Sequence, residues 1–483
     1  MRRLSLNVYF MDHQETHATG LLTRLGLFTA VMVVISSTIG SGVFKKLAPM
    51  CQELQSGWLV LSCWLIAGII TLLGALTNAE IAGLIAEPGG QYAYFKSMYG
   101  RFFAFLYGWS CFTVIQSASI AAISYVFAQS VNSLIPLPHF GPELEQWCIL
   151  GTFYPLHSFG VKLVTILTIL LLTGANYLGV VFGGMINNIV TVMKIAGVAI
   201  IIALGLAIGG GQVSNISALP NPQYQSSLGL FGAMFAAMLA AFWAYDGWNN
   251  IGYLGGEVKN AKRNIPIALA VGVVVVMLCY LAINFVYLYV MPTEEVLKYA
   301  KAPDCIIAVE VMRKFAGNLG AMFVSILILI STFGASNGSI LSSPRIYFAM
   351  AHDRLFFQSA SHCHPKFKTP SVALIFQGIW ASVLVLSGSF DQLTDRLVFA
   401  AFIFYGAGAL GVFVLRKKMK DQPRPYKVTG YPFIPALFVL FCIVLVVVTT
   451  IQNPINAGVG LALMALGIPF YLFWNYRIPK TSA

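Results

Sequence analysis

The chain has 483 residues, of which 58% are hydrophobic and only 10% charged, with mean hydropathy +0.79 and a formal charge of +12. A soluble globular protein carries about 25% charged residues, so this composition excludes a water-soluble fold and describes a polytopic membrane protein. The basic excess then reads as the loop bias of membrane proteins, with no nucleic acid as partner, and the eight scattered cysteines, lacking any CxxC pair, indicate neither a zinc site nor a disulfide framework.

The first 20 residues are polar, and the first apolar run is long enough to span, so no cleavable signal peptide is read. Apolar runs follow at 25–50, 57–84, 102–135, 161–180, 185–209, 228–254, 265–291, 318–350, 371–389, 396–415, 432–452 and 457–475. About 20 apolar residues cross a bilayer, so the expectation is an all-α membrane protein of about twelve transmembrane helices. Strand alternation is absent, which argues against a β-barrel. With a cytoplasmic N-terminus, 20 of the 29 Lys and Arg fall in inside segments and 8 outside. That bias predicts both termini in the cytoplasm of a cell-membrane protein. Residues 136–160 hold four prolines and are expected to be irregular, whereas 292–317 read as a short amphipathic helix over the outer mouth.

The first run contains Ser37-Thr38-Ile39-Gly40-Ser41-Gly42-Val43-Phe44. Glycine costs a helix about 1 kcal/mol relative to alanine, and unwound backbone at membrane depth is tolerated where it lines a cavity. The sixth run carries a matching interruption, Trp243-Ala244-Tyr245-Asp246-Gly247-Trp248-Asn249-Asn250. Gly in membrane helices also serves close packing, but two interrupted segments five spans apart point to a transporter site built on inverted repeats. The division expected is a tail at 1–24, a five-helix repeat at 25–209, an inverted second repeat at 228–415, two further helices at 432–475 and a tail at 476–483.

An amino acid presents a carboxylate and an ammonium close together. The amides of Ser41, Gly42 and Val43, with the Ser41 hydroxyl, suit the carboxylate at a helix N-terminal end. Carbonyls near Ser37 and Thr38, and at Trp243, Ala244 and Tyr245, suit the ammonium. Trp243 precedes the break and reads as a gate or as an ordinary membrane aromatic. Asp246 is an intramembrane acid; it reads as an N-cap of the following half-helix or as a substrate contact. Lys194 lies inside the fifth run, either snorkelling to a membrane face or facing the bundle interior. There its ammonium would take the place of a sodium ion, reaching carbonyls of the first broken helix and a hydroxyl such as Ser331. Ala401 and Phe402 suggest a pocket without strong charge. Gly42→Val is expected to abolish transport in a protein that still folds. His362-Cys363-His364 lacks standard zinc spacing, and no catalytic constellation, metal site or cofactor motif appears, so the chain is not read as an enzyme.

Several stretches resemble the amino acid–polyamine–organocation superfamily and, within it, the L-type amino acid transporter family. They are Ile39 to Phe44, Glu87-Pro88-Gly89-Gly90-Gln91-Tyr92-Ala93-Tyr94, Trp243 to Asn249, Glu257-Val258-Lys259-Asn260 with Arg263-Asn264-Ile265-Pro266, and Phe333 to Ser339 with Ser343-Pro344-Arg345. The resemblance covers about residues 25–430. It implies a LeuT-like 5+5 inverted repeat with discontinuous helices 1 and 6 plus two C-terminal helices, and sodium-independent antiport of neutral L-amino acids, with Lys194 filling the sodium site. Trp243 stands where many relatives have Phe, and Asp246 where animal members commonly have Gly. Animal members pair with a glycoprotein through a cysteine early in the loop between spans three and four. Here that loop holds Cys148 alone, placed late, so no disulfide-linked heavy chain is expected and a free-standing microbial chain is. Two alternatives stay open: a proton-coupled symporter, and a transporter-like sensor or channel.

Overall fold

Among the described residues ten helices are long and apolar enough to cross a membrane, and the bent pair Gly229–Tyr245 with Trp248–Gly255 and the shorter apolar helix Ser371–Ser387 bring the set to twelve. In this computed structural model the described residues are 25–85, 89–147, 149, 154–178, 183–217, 219, 222–300, 305–365, 367 and 369–477. Glu87, Pro88, Cys148, the first 24 residues and residues 478–483 lie outside them. Spans one to five are Leu27–Lys45, Gly57–Leu84, Arg101–Leu134, Phe159–Tyr177 and Asn188–Ile208. Span six is the bent pair. Spans seven to twelve are Ala261–Val290, Ile307–His352, Ser371–Ser387, Phe390–Lys418, Phe433–Gln452 and Pro454–Tyr476. The face from which span one starts and to which span twelve returns is called the terminal face below, the opposite one the far face.

Spans one, two and seven pack together, spans three and eight pair, span ten lies against span eleven, and span five touches spans one, seven and eight. Small residues permit these approaches: a Cβ on Gly272 of span seven would sit 2.5 Å from Val34 of span one. Between spans seven and eight the expected amphipathic segment forms the helix Thr293–Ala300, which packs on Leu47–Leu54. Of the proline-rich stretch, the described part holds one short helix, Pro142–Glu145. Span eight starts before the expected boundary, at Ile307, and is interrupted at Gly317, whose φ of 62° only glycine adopts cheaply.

Span three contains a π-turn at Cys111–Ile115. A π-turn displaces the regular carbonyl pairing, and three carbonyls there take side-chain donors: the Tyr347 hydroxyl reaches Cys111 at 3.3 Å, the Ser117 hydroxyl reaches Phe112 at 2.7 Å and Trp380 Nε1 reaches Thr113 at 3.0 Å.

Near the terminal face Glu80 of span two is almost wholly buried between two arginines. Its carboxylate accepts from Arg416 Nε at 3.0 Å and Nη2 at 2.8 Å, from Arg424 Nε at 3.1 Å and from the Val428 amide at 2.8 Å. Four donors satisfy a buried carboxylate, and removing one partner of such a cluster leaves uncompensated charge. Glu80→Ala is therefore expected to destabilise the protein by about 3 kcal/mol, seen as a lower melting temperature in detergent; an unchanged melting temperature would contradict this account of the anchor.

Candidate functional site

The first break falls where it is expected. The helix Leu27–Thr38 ends at Ile39, and a second half-helix starts at Gly42 after the N-cap Ser41. The first amides of a helix have no partner within it, so Gly42 and Val43 present N–H groups, and the Ser41 hydroxyl is buried without a hydrogen-bond partner. Span six breaks after Tyr245: Asp246 is extended and Gly247 has φ 91°. A Cβ at Gly247 would stand 2.6 Å from the Ser37 carbonyl oxygen, and one at Gly42 would stand 2.5 Å from Ala244 Cα. The two breaks thus touch backbone to backbone, and these two glycines are what allows it.

Three side chains cover the exposed carbonyls. Lys194 is fully buried. It donates to the Ile39 carbonyl at 3.0 Å and the Ser36 carbonyl at 3.1 Å, with the Ser36 hydroxyl at 3.5 Å. Ser331 does not bond Lys194; its hydroxyl donates to the same Ile39 carbonyl at 3.4 Å. Tyr280 of span seven is the third, and nothing in the sequence marked it among 21 tyrosines. Its hydroxyl lies 2.8 Å from both the Thr38 and Ala244 carbonyls, and its one proton serves one of them at a time.

The breaks enclose a cavity of about 20 Å³, room for about one water. An amino acid enters it only when the helices part. Of the expected residues, Ser37, Thr38, Gly40, Ser41, Gly42, Trp243 and Asp246 line it. Ile39, Val43, Ala244 and Tyr245 do not: Ile39 faces Lys194, Ala244 packs on Gly42, and the Tyr245 hydroxyl donates to the Trp64 carbonyl at 3.2 Å. Ser119 and Ile123 of span three, Gly247, Asn250 and Ser339 of span eight complete the wall. The serines in span three are a faint sequence signal for this; Ile123 carries none.

Several expectations change. The carbonyl seat for an ammonium is narrower than expected, because Thr38 already accepts the Gly40 amide at 2.8 Å and Trp243 accepts the Asp246 amide at 3.2 Å. The Thr38 hydroxyl turns back to the Val34 carbonyl at 2.8 Å. Asp246 stands one residue before the N-cap Gly247, where no side-chain cap bond forms; its Oδ1 instead accepts the Tyr405 hydroxyl of span ten at 2.7 Å. Phe402 borders a neighbouring cleft with Asp246 and Tyr405. Gly42→Val would drive a side chain into the span-six backbone, so a folded product is no longer expected.

Trp243, on the cavity wall, stands with its ring edge-on to Phe390 at 6.0 Å toward the far side. Lys45 and Lys46, two of the eight Lys and Arg counted as outside, are buried and lie over that same Phe390 ring, each 4.6 Å from its centroid. Lys45 donates to Gln129 at 2.6 Å, and Lys46 to Asp391 at 2.6 Å and Thr394 at 2.8 Å. On the terminal side Tyr107 and Tyr253 pair through their hydroxyls at 2.7 Å.

Comparison with known proteins places the chain in a family. A family model described as amino acid permease matches residues 25–472. The chain is 32% identical to the serine/threonine exchanger SteT of Bacillus subtilis over 97% of its own length and 100% of that protein's. It is 30% identical to the human b(0,+)-type amino acid transporter 1, covering 97% of this chain and 91% of the relative. It is also 30% identical to the human large neutral amino acids transporter small subunit 2, covering 95% and 82%. The chain belongs to the amino acid permease family, in its L-type branch.

The glycines separate by role. Gly42→Ala is expected to lower stability by about 1–3 kcal/mol through overpacking on Ala244. A Cβ at Gly40 would meet nothing nearer than the Thr38 carbonyl oxygen at 3.9 Å and Ala335 Cβ at 4.0 Å, so Gly40→Ala is expected to melt like the parent. Equal melting of both variants would refute the assignment of Gly42 to the helix contact.

Proposed function

We propose that this permease exchanges small neutral L-amino acids across the cell membrane by alternating access, independently of sodium. The observation that carries the reading is the meeting of two broken helices over one buried cavity, with Gly42 at the start of the second half-helix and the unpartnered Ser41 hydroxyl on its wall. In hydrocarbon such groups persist only where a ligand or cavity accounts for them.

The roles in this reading are these. The amides of Ser41, Gly42 and Val43 and the Ser41 hydroxyl hold the substrate carboxylate at the positive end of the half-helix. The ammonium sits at the Ser37 end of the opposite half-helix, sharing the carbonyls of Thr38 and Ala244 with Tyr280 and approaching Trp243 and Tyr245 from the cavity side. Lys194 and Ser331 hold the carbonyls that a bound sodium ion would otherwise coordinate, so the break keeps its shape without a travelling cation. Trp243, resting on Phe390, acts as the gate toward the far side, and separation of Lys46 from Asp391 frees span one to move. Residues 25–209 and 228–415 form the two inverted repeats. The Lys and Arg bias puts the terminal face in the cytoplasm, and the chain works without a disulfide-linked heavy chain.

A second substrate reading has one observation in its favour: Asp246 places a carboxylate on the cavity wall. A carboxylate there also suits a substrate with a cationic side chain. In a competition panel this reading predicts inhibition by lysine and arginine that is lost in Asp246→Asn, whereas the neutral reading predicts inhibition by alanine, serine and threonine alone.

Reconstitution in liposomes tests exchange. Uptake of labelled alanine or serine is expected to require unlabelled amino acid inside, in sodium-free buffer and without a pH gradient. Equal uptake into empty vesicles would rule out exchange. Lys194→Ala is expected to lose most of this uptake, since at membrane depth the Ser36 carbonyl would lose its ammonium partner and the Ile39 carbonyl would keep only the Ser331 hydroxyl.

A further inference from the structure

At the terminal face, the end of span twelve and the segment just after span eight enclose a groove of about 900 Å³, remote from the central cavity. Its floor and walls are aromatic, with Phe357, Phe470, Phe473 and Trp474, and two arginines, Arg354 and Arg477, stand on its rim. Phe357 and Phe470 both pack on Trp474, with centroids 5.2 and 5.6 Å away, so the wall is a continuous packed surface. The Arg477 guanidinium lies over the Phe473 ring, 4.2 Å from its centroid. Arg354 is held in a left-handed turn, φ 61°, with its amide on the Ala351 carbonyl at 3.0 Å. Among the described residues no acid pairs with either guanidinium.

We propose that this groove binds one anionic phospholipid, with its phosphate between Arg354 and Arg477 and an acyl chain along Phe357, Phe470 and Phe473. Three observations favour that occupant. The side of span twelve that borders the groove is exposed and apolar, with Phe470 39% and Phe473 51% exposed. Trp474 and Tyr476 mark the level of the interface, where aromatic side chains gather and head groups lie. The rim carries two positive charges that no described acid pairs, and the planar guanidinium matches phosphate oxygens in pairs. A zwitterionic head group would bring its own cation against these arginines. A lipid seated here would tie the end of span eight, which lines the cavity through Ser339, to span twelve at the bundle's edge.

The test uses the purified full chain, stripped of lipid and re-supplied with phosphatidylglycerol or phosphatidylcholine, read by native mass spectrometry and by melting temperature. The parent is expected to retain phosphatidylglycerol preferentially and to melt higher with it. The variant Arg354→Gln/Arg477→Gln is expected to lose about thirtyfold of that preference, at the usual contribution of arginines near a membrane surface, and Arg354→Lys/Arg477→Lys to keep part of it if the glutamine variant does not fold. Lys417→Ala/Lys420→Ala, exposed basic residues elsewhere on the same face, is expected to behave as the parent. Three results would overturn the proposal: an undiminished preference in the glutamine variant, an equal loss in the Lys417/Lys420 variant, or inorganic phosphate raising the melting temperature as much as the lipid.

Discussion

The structure depends on one constraint: a helix broken at membrane depth must find partners for the carbonyls it exposes. Ile39 and Ser36 find them in the ammonium of Lys194, which is wholly buried and reaches both at about hydrogen-bond length. A lone ammonium in hydrocarbon is costly, and a lone carbonyl is costly too. Set together, each removes most of the other's penalty. Tyr280 does the same for Thr38 and Ala244, and because its single proton faces two acceptors it links the two broken helices without saturating either. Spans one, five, six, seven and eight are thereby held around one point.

The same logic runs outward in layers. Trp243 lies against Phe390, Phe390 lies under two ammonium groups, and Lys46 reaches Asp391 and Thr394 of span ten. Each contact joins a half-helix of span one or six to span ten. On the terminal side the Tyr107–Tyr253 pair and the Glu80 cluster make the corresponding ties. Contacts of this kind are discrete, either made or broken, which suits a bundle that opens on one side at a time. The Lys46–Asp391 contact is the most exposed of them, with half of the Asp391 side chain reaching solvent, and water is available to both groups when they separate.

Much of this was legible in the chain. Twelve apolar runs become twelve spans because hydrocarbon accepts almost nothing but a helix of that length. The breaks at Gly40–Ser41 and Asp246–Gly247 were visible because glycine with polar neighbours is so poor a fit to a bilayer-spanning helix. Lys194 stood out for the same reason. What escaped were residues whose types are ordinary in a membrane helix: Tyr280, Ser119, Ile123 and Ser339 gain their places only from what lies opposite. Lys45 and Lys46 misled in the other direction, since two lysines at the end of the first run count as outside charge until Phe390, Gln129 and Asp391 are brought beside them.

Sequence by itself determined the solvent of this protein, the number of its helices and which two of them are broken, because each follows from local composition and the lack of water in a bilayer. Only the tertiary structure decided what each break touches. Gly42 proved to be a contact with Ala244 as well as a helix start, and Asp246 a partner of Tyr405 in place of a cap. The Thr38 carbonyl proved to be already engaged. Those outcomes turn on distances between residues from 36 to more than 200 positions apart. No local pattern encodes such distances, because they arise from how twelve helices pack.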